Sequence, residues 1–143
     1  MSTPLHGTAP RRTDGESPAP HWRWCDHRRG EPAEPLVREW LASEWSLAPE
    51  SIPLQRDARG RPRLGDGLRH RDVSWSHSGE GLLMAWGEGV DLGVDLEQAR
   101  PRPRALELAQ RFFHTAEHDW LRGLPEPERN EAFLRLWCAK EAV

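Results

Sequence analysis

The stretch "LGVDLE" places two carboxylates, Asp95 and Glu97, two positions apart at the end of an apolar run. On an extended strand, residues i and i+2 point to the same face, so both acids project together. Like charges paired beside a core are costly unless a cation neutralises them. Two carboxylates supplemented by water and substrate oxygens suit magnesium, which seldom sits in an all-protein cage. On spacing alone, a solvated strand end accounts for the pair as well. A third acid, Glu141, closes "FLRLWCAKEA"; taken alone, a Lys-Glu pair on a helix is a solvated face. His77, in "SWSHSG", sits with Ser76 in a Ser/Gly-rich turn whose N–H groups and hydroxyls can receive an anion. Arg61, in "RGRPRL", is a loop cation in a chain full of them. On local evidence alone, a turn histidine and a loop arginine of no consequence are the favoured reading of these two positions.

Elements that could position these residues follow from hydrophobic periodicity. In "EPLVREWLASEW", Leu36, Val37, Trp40, Leu41 and Trp45 recur at helical spacing, with Pro35 in the first turn. "PESIPLQRDARGRPRLGDG" reads as a loop, or a short strand with a turn at Arg59-Gly60. From Val73 the period shortens to that of strands: "VSWS", then "LLMAWG", then "LGVDLE", joined by tight turns as an antiparallel meander on which the Trp40 helix can pack. "ARPRPR" breaks regular structure, because each proline lacks a donor and restricts its neighbour. Three helices are expected after it: "ALELAQRFF", then "AEHDWLRGL" capped by Thr115, then one from about Glu128 to the end. The fold class is α+β, short antiparallel strands packed with helices. Residues 1–20, rich in Pro, Gly, Ser and Thr, are expected to form a disordered tail, because they cannot bury enough surface to offset ordering entropy.

Composition excludes several classes. The 143 residues suit one domain, and 20 basic against 23 acidic residues create no field that would draw nucleic acid. Lys140 is the single lysine, a bias to which no function attaches. Arg- and Trp-rich chains can bind single strands, but Trp40, Trp45, Trp75, Trp86 and Trp137 lie on core-facing patterns. Cys25 and Cys138 lie far apart and form no metal or redox pattern. No apolar stretch suits a membrane span or signal core, so the chain reads as soluble and cytoplasmic. "HTAEH", His114 to His118, matches H-x-x-E-H, but it straddles a helix start, where the two imidazoles need not share a face.

The series "GRPRL", "VSWSHSG", "LGVDLE", "RFFHTAEHDWL" and "FLRLWCAKEA" resembles the 4′-phosphopantetheinyl transferases, most nearly the larger, pseudo-dimeric class, over roughly residues 36–143. The resemblance implies a division into an N-terminal α+β half at 21–98 and the opening helices of a second half at 99–143. It implies transfer of the phosphopantetheine arm of coenzyme A to a serine of an acyl or peptidyl carrier protein, releasing adenosine 3′,5′-bisphosphate. Asp95, Glu97 and Glu141 are similar to that family's magnesium-binding acids, and Glu141 is placed to help deprotonate the acceptor serine. His77 and Ser76 match contacts to the 3′-phosphate of coenzyme A, and Arg61 matches a basic residue there. The family's lysine four residues after the glutamate falls beyond Val143, and a first strand is not evident in "HWRWCDHRRG". The chain therefore reads as a family member lacking its C-terminal third. An inactive or split fragment that binds coenzyme A, or pairs with another chain, is the alternative. The stripe Phe133, Leu136 and Trp137 is expected to lie exposed as a self-association face.

Overall fold

The computed structural model describes residues 6–7 and 19–142. Strands β1 (His6–Gly7), β2 (His21–Asp26), β5 (Arg71–Ser78) and β6 (Gly81–Glu88) form one antiparallel sheet, ordered β1-β2-β6-β5. A separate hairpin joins β3 (Leu54–Arg56) to β4 (Pro62–Leu64). Its turn is held by Asp57 Oδ1, which accepts from the N–H groups of Arg59 and Arg61 at 2.9 and 3.0 Å. The expected tail at 1–20 falls largely outside the described residues; His6–Gly7 within it pairs with β2.

The hairpin β5–β6 turns at Gly79, whose φ of 61° suits glycine. Alternation then divides β5 between two faces. Val73 opposes Trp86 and Trp75 opposes Met84, and this face packs on helix α1 (Glu34–Trp45). Val37, Trp40 and Leu41 of α1 are buried there with Val73, Leu82, Met84 and Trp86. Each such side chain contributes about 1.5–3 kcal/mol by leaving water. The other face of β5 carries Asp72, Ser74 and Ser76.

Two strand expectations are corrected. "HWRWCD" forms β2, which pairs with β6 along its whole length, Trp22 opposite Ala85 and Trp24 opposite Leu83. Its alternation is carried by tryptophans interleaved with charged residues, a pattern that looks polar until β6 supplies the partner. "LGVDLE" is not a strand in the sheet, although it runs extended beside β5. Side chains of β5 take the place of a backbone ladder.

The C-terminal portion comprises α2 (Ala105–Phe112), α3 (Thr115–Gly123) and α4 (Glu126–Glu141). Ala105, Ala109, Leu121, Phe133 and Leu134 form a second buried cluster. The stripe expected to be exposed is covered by these helices. Phe133 is 1 % exposed and stacks on Phe113 with centroids 5.3 Å apart, while Leu136 and Trp137 are half-buried against the same cluster. The cap of α3 is His114 rather than Thr115. Its ring accepts from the Ala116 N–H at 3.4 Å, and Glu117 accepts from the His114 N–H at 2.9 Å, a reciprocal capping box. That box accounts for the His and Glu of "HTAEH". Among the described residues no helix is long and apolar enough to cross a membrane.

Candidate functional site

Residues 92–97 are pinned to β5 at two-residue intervals. The Leu92 N–H donates to Asp72 Oδ2 at 2.7 Å, Val94 N–H to Ser74 Oγ at 3.2 Å, and Leu96 N–H to Ser76 Oγ at 3.1 Å. The periods match because both segments are extended, so every second residue faces the other chain. Arg61 closes the start of this run. Its Nη2 donates to Asp72 Oδ2 at 2.7 Å and to the Leu92 carbonyl at 2.8 Å. Asp72 is buried, and a buried carboxylate is retained only with such partners.

Asp95 lies between the two serine-held amides. Ser76 Oγ donates to its Oδ1 at 3.3 Å, while its Oδ2 is buried without an N–H or O–H donor. A buried carboxylate oxygen left bare is costly, and a cation would relieve it. Glu97 is held by Arg102 of the proline-rich loop, Oε2 to Nη2 at 2.9 Å, and Asn130 of α4 fixes that loop by accepting from the Arg102 N–H at 2.7 Å.

The end of α4 reaches the same place. Gly93 packs against the backbone of Ala142, so closely that a Cβ there would collide with its carbonyl. Cys138, one turn earlier, lies beside Asp95; burial first, then a thiol hydrogen bond to the Asp95 carboxylate and the Asp95 and Glu97 charges, push its thiol up to about 11. Lys140 turns away, pairing with Glu117 of α3 at 2.9 Å, and that hydrogen bond is the leading cause holding the Glu117 carboxyl below its ordinary value. Glu141 is exposed at the last helical position.

The structure thus brings Asp95, Ser76 and the end of α4 together. It does not gather Asp95, Glu97 and Glu141 into one coordination sphere, because among the described residues no three His, Cys, Asp or Glu are close enough to hold a metal. Nor does it bring Arg61 to His77. Arg61 is tied to Asp72, five residues from His77, which is about 17 Å along a strand. His77 is exposed on the opposite face from Ser76, its ring 5.0 Å from that of buried His27. The residues missed from sequence are Asp72 and Ser74. The signal was present in "DVSWS", whose polar residues alternate with Val73 and Trp75, one face for each.

Comparison with known proteins identifies a family. The sequence profile of the 4′-phosphopantetheinyl transferase superfamily matches residues 91–143, the stretch running from Asp95 to Glu141. The chain is 33 % identical over 120 residues to 4′-phosphopantetheinyl transferase HetI of Nostoc sp., covering 82 % of this chain and 51 % of that protein. It is 37 % identical over 109 residues to a putative 4′-phosphopantetheinyl transferase of Synechocystis sp., covering 74 % and 44 %. With 4′-phosphopantetheinyl transferase Sfp of Bacillus subtilis it shares 30 % identity over 107 residues, covering 75 % and 46 %. The chain spans about half the length of the curated relatives it matches. By these matches the chain belongs to the 4′-phosphopantetheinyl transferase superfamily.

Proposed function

We propose that this chain takes part in moving the 4′-phosphopantetheine arm of coenzyme A to a serine of an acyl or peptidyl carrier protein. The observation that carries the reading is the Asp95 carboxylate, oriented by Ser76 through one oxygen and buried at the other with no N–H or O–H donor on it, only the weakly donating Cys138 thiol lying beside the group. That is the state of a ligand awaiting a hard cation, and magnesium binds through one or two carboxylates together with substrate phosphates. Asp95 is the acid already placed to hold it; Glu97 and Glu141 would join only by leaving their present positions, and the ion would neutralise charge on the coenzyme A pyrophosphate.

The chain's own residues supply the remainder. Ser76 and the amide contacts of Leu92, Val94 and Leu96 fix Asp95. Arg102 orients Glu97 until phosphate or metal competes for it. Glu141, solvent-accessible at the helix end, is suited to accept the proton of the carrier serine. In the transfer, the serine oxygen bonds to the phosphorus carrying the pantetheine arm. The bond from that phosphorus to the bridging oxygen breaks, and adenosine 3′,5′-bisphosphate leaves with the electron pair. His77, exposed at the end of β5, is suited to the 3′-phosphate. Arg61 is committed to Asp72 and Leu92, so its part is to hold the acidic segment.

The test is incubation with magnesium, coenzyme A and an apo carrier protein, followed by intact-mass measurement of the carrier. A mass gain equal to the arm, abolished by Asp95→Ala, is the expected result. Coenzyme A binding without any mass gain would overturn transfer by this chain and support a binding role.

A further inference from the structure

The segment that carries Asp95 makes no ladder with the sheet, yet three successive alternate amides find acceptors on one face of β5. We propose that Asp72 and Ser74, together with Ser76, are positioning residues whose side chains hold residues 92–96 and thereby set where Asp95 Oδ2 points. The inference rests on the metal reading above and extends it to residues that touch neither metal nor substrate.

The geometry distributes the work unequally. Ser76 acts directly, accepting from the Leu96 N–H and donating to Asp95 Oδ1. A hydroxyl has one hydrogen, so donation to the carboxylate uses its single donor while the amide takes one of its two lone pairs, which fixes its orientation. Ser74 fixes the amide on the other side of Asp95, and the two contacts together leave the aspartate little freedom to turn. Asp72 sets the start, accepting both from the Leu92 N–H and from Arg61, whose second contact is the Leu92 carbonyl. Leu92 is therefore gripped at both polar atoms of its backbone.

Site-resolved amide exchange and Mn²⁺ titration of the 143-residue chain, both read by NMR, test the proposal. The Leu92, Val94 and Leu96 amides are expected to be protected although none has a backbone partner. Ser74→Ala should speed exchange at Val94 by roughly three- to tenfold, the size of one hydrogen bond, and leave the β5–β6 amides unchanged. The same variant should raise the Mn²⁺ concentration that half-broadens the Leu96 amide by a similar factor. Ser74→Thr, which keeps the hydroxyl, should restore both values. Asp72→Asn should act in the same direction at Leu92. Unprotected amides in the parent would overturn the proposal, as would an Mn²⁺ response identical in the parent and Ser74→Ala. Protected amides with no Mn²⁺ broadening in the parent would overturn the metal reading while upholding the side-chain attachment.

Discussion

Gly93→Ala tests whether contact between the acidic segment and the last turn of α4 sets the geometry of the site. The added methyl would land on the Ala142 carbonyl, inside the 3.0 Å that Cβ atoms keep from other heavy atoms. Neither partner is the end of a flexible side chain, and close-packed protein does not compress. The two backbones must therefore part by about 1–2 Å. Overpacking of this sort costs about 1–3 kcal/mol, a fraction of the ~5–15 kcal/mol that holds a domain, so the fold survives. The displacement falls one residue from Glu141 and two from Asp95. A misplacement of about 1 Å at a reacting centre costs roughly a hundredfold in rate. Gly93→Ala should thus slow phosphopantetheine transfer by about two orders of magnitude and lower the thermal midpoint by only about 4 °C per kcal/mol. The assay is the time course of carrier mass gain, with thermal unfolding run in parallel. A transfer rate within threefold of the parent, at any stability, would refute the idea that this contact aligns the site.

Phe133→Ala should cost about 3–5 kcal/mol in urea denaturation followed by tryptophan fluorescence, because the ring is enclosed by Phe113 and Trp137; a cost under about 0.5 kcal/mol would mark an exposed face. Glu117 sits below its ordinary value of 4.5 because of Lys140 first and the His114 N–H second. A depressed carboxyl stabilises the fold above its unfolded value and ceases to do so as pH falls through its folded value. The difference in thermal midpoint between the parent and Glu117→Gln should therefore be full above pH 4.5 and shrink below it. The Cys138 thiol, raised from 9.0 to about 11, should alkylate roughly a hundredfold more slowly at pH 8 in the folded than in the unfolded chain, as mass spectrometry of iodoacetamide-treated protein would show. Asp95→Asn should quicken that reaction, since it removes a neighbouring negative charge.

What the sequence disclosed depended on whether a pattern was local. Helix α1 is bounded by Pro35 and an apolar stripe, both legible in a single window, and it runs over Glu34–Trp45. The β5–β6 hairpin was legible from two apolar runs about a glycine turn. Strand β2 was hidden because its partner, β6, lies about sixty residues away and its own residues look polar. The face of α4 misled for a similar reason: what covers Phe133 is α2 and Phe113, and their approach is a matter of packing rather than of pattern. At the site, the types and spacing of Asp95 and Glu97 drew notice, but what holds each of them, Ser76 and Arg102, did not show. The role of Arg61 was not, because a guanidinium on a loop gives no sign of whether it meets a ligand or, as here, a buried aspartate and a carbonyl thirty-one residues on. Asp72 and Ser74 gain meaning only when a second extended segment lies against them.

Attachment through side chains also fixes an order of events. The acceptors at 72, 74 and 76 share a face only once β5 is extended, and β5 becomes extended by pairing with β6 across a two-residue turn. Closing that hairpin joins neighbours in the chain, whereas bringing residues 92–96 back to β5 closes loops of about twenty residues for the return of single hydrogen bonds. The acidic segment should accordingly dock late in folding and leave early on unfolding, at the low end of the chain's range of local opening energies. A nascent or heat-stressed molecule would keep its sheet and its α1 core while Asp95 is already adrift, so loss of function would precede loss of fold.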